Sequence, residues 1–121
     1  LLAYMLDQKN REQWRKVEQF IAEKFLDGEI PDVDAVLFLI GVRELGVPYR
    51  NFKKDEKIDI LHIAICRVLM PYGYYELTGL DEDGWPHYRL KEKLPALKAG
   101  EQSVLIKEAI IRYFEEEGVL S

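Results

Sequence analysis

The sequence predicts a mainly α fold of four to five packed helices, with one short antiparallel β-hairpin between the third principal helix and the last. Three observations predict it. Apolar residues recur at helical spacing over long stretches, and glycine and proline punctuate the chain between those stretches. Asp81-Glu-Asp-Gly84 stands between two short runs of strand-forming residues.

The elements follow in order. Leu1 to Leu6 is apolar and is predicted as a short fifth helix at most. Asn10-Arg-Glu-Gln13 has the pattern of a helix cap with a reciprocal Gln, and Trp14, Val17, Phe20, Ile21 and Phe25 follow at helical spacing. Asp27-Gly28 ends that helix, and Ile30-Pro31-Asp32 starts a second one that runs to about Gly46. Val33, Val36, Leu37, Phe38, Leu39, Ile40 and Val42 leave this second helix almost no polar face, which predicts the central core helix. Gly41 inside it costs helix propensity and predicts the close approach of a neighbouring backbone.

A third helix is predicted from about Lys53 to the break at Pro71 and Gly73. Tyr74 to Leu80 and Trp85 to Lys91 then flank a tight turn in which Gly84 supplies the positive φ. In the second strand Tyr88 and Leu90 alternate with His87, Arg89 and Lys91, predicting one buried face and one wet, basic face, with Trp85 on the wet parity. Leu94 to Gly100 is a connector, and a last amphipathic helix is predicted from Ser103, with Gly118 beyond its end. The predicted core is Val36, Leu37, Ile40, Leu61, Ala64, Ile65, Val68 and Leu69, with Phe20 and Phe114 packed on it.

A chain of 121 residues, 48% hydrophobic and 32% charged, predicts a single globular domain spanning residues 1–121. Net charge −5 argues against a general polyanion binder, because nonspecific nucleic-acid and anionic-membrane binding depend on clustered Lys and Arg. The lone Cys66 cannot form an intramolecular disulfide and fits a reducing, cytoplasmic setting. The apolar start ends at Asp7 with no basic flank, so it is expected to be neither a signal peptide nor a membrane span.

Few residue constellations carry chemistry. Asp55, Asp59, His62 and Cys66 fall on one stripe of the third helix. An Asp, His and Cys so spaced can meet a metal, or pair thiol with imidazole for nucleophilic attack, but the simpler reading is a solvent-facing stripe with Cys66 as a small hydrophobe. Asp81-Glu-Asp-Gly84 has the start of a calcium loop, yet Trp85 occupies the next oxygen position, and a hairpin turn explains it. No glycine-rich phosphate loop, G-x-S-x-G or H-E-x-x-H occurs, and neither a catalytic set nor a cofactor is predicted. Tyr72, Tyr74, Tyr75 and Tyr88 gather near Trp85, and the candidate interaction surface is Trp85, His87, Arg89 and Lys91.

Arg67-Val-Leu-Met-Pro-Tyr-Gly-Tyr-Tyr-Glu-Leu through Tyr88-Arg-Leu resembles the end of a recognition helix running into the wing of a winged helix. That resemblance implies DNA binding. The chain departs from the pattern, because Asp55, Glu56 and Asp59 stand where a basic face should meet the major groove, and Val47 to Lys53 is longer than the motif's turn. Ile30-Pro-Asp-Val-Asp-Ala-Val and Asp81-Glu-Asp-Gly-Trp-Pro-His are similar to stretches of small cytosolic bacterial proteins in families of unknown function, a likeness that implies no activity.

Three functions of different class therefore stand. The leading expectation is a non-enzymatic interaction or assembly module, binding a protein partner or itself. A divergent winged-helix DNA binder comes second, if Arg89, Lys91 and Lys93 join Arg50, Lys53 and Lys54 in one patch. A metal or thiol enzyme using Asp59, His62 and Cys66 comes third.

Overall fold

Local chemistry at the chain breaks sets most of the element boundaries. The computed structural model describes residues 1–48 and 50–120, except for the side chains of residues 2–4 and 6. These residues form α1 (Leu2–Phe25), α2 (Val33–Leu45), α3 (Lys54–Leu69), a 3₁₀ turn (Met70–Tyr72), β1 (Tyr75–Leu80), β2 (Pro86–Leu90) and α4 (Ala99–Glu116). The fold is mainly helical, with an antiparallel hairpin between α3 and α4. No helix of the described residues is long and apolar enough to cross a membrane.

Two starts differ from the sequence expectation. α1 runs unbroken from Leu2, so neither a separate helix over Leu1 to Leu6 nor a cap at Asn10 forms. No glycine or proline interrupts that stretch, and the Asn10 amide donates instead to Glu108 Oε1 at 3.1 Å. α4 begins at Ala99, about a turn before Ser103, because Pro95 is the last barrier to helix in that connector. At α2 the expectation holds, and Asp32 Oδ1 accepts the Ala35 N–H at 2.8 Å.

Contacts divide the chain into two compact units, Leu1–Val36 with Ala99–Ser121 and Leu37–Lys98, so the division falls inside α2. In the first, Val17, Ile21 and Ala22 of α1 are buried, as are Ile110, Ile111, Tyr113 and Phe114 of α4. Phe20 meets Phe114 edge-on, with ring centroids 6.1 Å apart. The buried Gln13 amide donates to Glu115 Oε2 at 3.3 Å.

In the second unit Leu45, Phe52, Ile60 and Ile63 form a buried cluster, with Phe38, Val42, Trp85 and Tyr88 packed against it. Leu37, Ile40, Ala64, Val68 and Leu69 of this unit are buried as predicted, as is Val36 of the first, but Leu61 and Ile65 are only half-buried. Ile60, Ile63 and Cys66 are the buried α3 positions in their place. α3 is apolar around most of its circumference, so periodicity alone does not choose among neighbouring isoleucines and leucines. Gly41 explains the close approach: a Cβ there would collide with the carbonyl oxygen and Cγ2 of Ile60.

Candidate functional site: the β-hairpin and the flank of α3

One carboxylate organises the hairpin turn. Asp81 Oδ1 accepts the backbone N–H groups of Asp83 at 2.9 Å and Trp85 at 3.0 Å, and its Oδ2 lies 3.0 Å from His87 Nε2. Those contacts, led by the His87 hydrogen bond, pull the Asp81 pKa below the usual carboxylate range. The Asp81 N–H closes the loop on the Trp85 carbonyl, and Gly84 takes a φ of 83°. This is a short hairpin loop ending in a left-handed glycine. Both carboxylate oxygens of Asp81 are thus engaged within the hairpin.

Trp85 therefore belongs to the turn rather than to the strand, and strand parity does not govern it. Its side chain is half-buried against the Leu45, Phe52, Ile60 and Ile63 cluster, which corrects the expectation that it points outward. His87 and Arg89 do lie exposed on the outer face. Each has an anionic neighbour, His87 with Asp81 and Arg89 with Glu76 directly across the strands. Lys91 is exposed just beyond β2, where its N–H donates to the Tyr74 carbonyl at 2.8 Å. Of the predicted set, His87, Arg89 and Lys91 are exposed while Trp85 is half-buried, and Trp85 and His87 line the same hollow beside α3.

The opposite face of the hairpin carries the apolar residues. Tyr75 pairs with Leu90, Leu77 with Tyr88 and Leu80 with Pro86, and a bulge between Leu77 and Gly79 keeps Leu80 on the same side as Leu77. Pro86 is buried, and Tyr75 and Tyr88 are half-buried; His62 of α3 meets Tyr75 edge-on, with ring centroids 6.4 Å apart. Burial raises the phenol pKa of both Tyr75 and Tyr88. Leu77, Leu80 and Leu90, by contrast, are exposed by 50%, 67% and 54%. Leu90 thus departs from the expectation that it is buried with Tyr88, because the covered part of this face ends before it, and the sequence alone assigned no side to Leu77 and Leu80. The signal was Gly79, since a glycine inside a strand marks a bulge that resets the alternation of β1.

The α3 stripe divides in the same way. Asp55, Asp59 and His62 are exposed, whereas Cys66 is fully buried. Its Sγ lies 3.6 Å from His62 Nε2, yet burial pushes the thiol pKa up to about 11, the reverse of what an activated nucleophile requires. His62 and His87 line a hollow of about 200 Å³ with Asp59 and Asp81, but among the described residues no group of three His, Cys, Asp or Glu is placed to hold a metal ion. A neighbouring open hollow of about 520 Å³ is lined by Arg50, Glu56, Asp59, Asp81, Asp83 and Trp85. Arg50 there bonds both Glu56 oxygens, at 3.2 and 2.8 Å, and stacks 4.5 Å from the centre of the Phe52 ring. Arg67, at the end of α3, forms a largely buried pair with Glu44 at 3.2 Å.

Comparison of the chain with protein-family models, with curated proteins and with solved structures returns no match.

Proposed function

We propose that this chain is a non-enzymatic protein-interaction or assembly module of the cytoplasm, and that it engages its partner through the hairpin. The observation that carries this reading is the half-covered apolar face, on which Leu77, Leu80 and Leu90 stay in water while Pro86 and Tyr88 are packed away. A two-stranded sheet alone is marginal in water, so exposed leucines on one are a cost that contact with a partner relieves. Catalysis draws less support, since Cys66 is buried and held as a neutral thiol. DNA reading also draws less, because Arg50 and Arg89 are matched by Glu56 and Glu76, and Arg67 is committed to Glu44.

The test compares proteins captured from cells by the tagged wild-type chain and by a Leu77→Asp, Leu80→Asp double variant, further copies of the chain counting as partners. Loss of a stoichiometric partner, with unchanged circular dichroism, is the expected result. Equal capture by both chains, or capture of nothing by either, overturns the reading. Rapid alkylation of Cys66 in the folded chain would restore the thiol-enzyme reading. A duplex-DNA complex whose log affinity falls linearly with log salt would restore the winged-helix one.

A further inference from the structure

We draw no further inference here: the strongest candidate, the open hollow of about 520 Å³ between the first turns of α3 and the hairpin turn, is an acidic cluster in which Arg50 already holds Glu56 and the turn already holds Asp81, and nothing else in the structure points to a ligand for it.

Discussion

The α1 and α4 unit and the α3–hairpin unit bury their apolar residues by different means. α1 and α4 each turn one stripe inward, and the polar residues beside that stripe close over it, as Asn10 does with Glu108 and Gln13 with Glu115. In the other unit α3 meets a two-stranded sheet, and the fit is made by backbone proximity between Gly41 of α2 and Ile60 of α3 and by the Trp85 and Tyr88 rings of the hairpin. An amphipathic helix can cover its whole apolar stripe against one neighbour. On the hairpin, three leucines of one small face, Leu77, Leu80 and Leu90, stay exposed, whereas α1 and α4 leave single apolar residues such as Phe25 and Val104 in water.

The largest expected effects break the comparison at its base, by asking whether each unit has the core assigned to it. Ile60 and Ile110 are both fully buried, and truncating either to Ala should cost about 2–5 kcal/mol in urea unfolding. A loss below about 1 kcal/mol at either site would contradict that unit's core.

Next in size is a pair of identical substitutions with opposite sign. Gly41→Ala drives a methyl group into the Ile60 backbone and should destabilise by about 1–3 kcal/mol. Gly100→Ala, in the first turn of α4 with open space around it, should stabilise by about 0.4–1 kcal/mol through the unfolded chain. Equal thermal shifts for the two would show that close approach is not what distinguishes the units.

Acid should separate them further. Arg50 first, and then the Lys53 N–H, hold the Glu56 carboxyl down at about 2, below its unfolded value of about 4.3. A depressed carboxylate contributes stability that is fully present above the unfolded value and is lost as pH falls toward about 2. The wild type should therefore lose more stability than Glu56→Gln between about pH 6 and pH 3. Parallel pH profiles would show that the Arg50–Glu56 contact does not persist in solution.

The smallest expected effect is at Asp7 and Arg11, an exposed pair one turn apart on α1 with a 3.1 Å contact. Arg11→Ala should move the urea midpoint by less than about 0.5 kcal/mol. A larger loss would mean that the polar surface of the α1 and α4 unit contributes more to its fold than helix packing alone explains.

Much of this architecture is legible in the sequence because it depends on residues a few places apart. Helical periodicity, the Asp32 start of α2 and the glycine-ended hairpin loop are set by local sterics and hydrogen bonding. Other features were decided by residues distant in the chain. Asn10 has a cap's chemistry, but Glu108 takes its side chain and the helix runs through it. The choice of Ile60 over Leu61 follows from where Gly41 lets α2 approach, which no periodicity within α3 records. Trp85 sits on the outward parity only if it is a strand residue; held in the turn by Asp81, it swings onto the cluster of Phe52 and Ile63. Sequence thus determined the kinds of element and their order, since those are local free-energy choices. Tertiary structure alone decided which apolar side chains stay in water, because burial depends on the area a neighbouring element can cover, and α3 is too narrow to cover a hairpin.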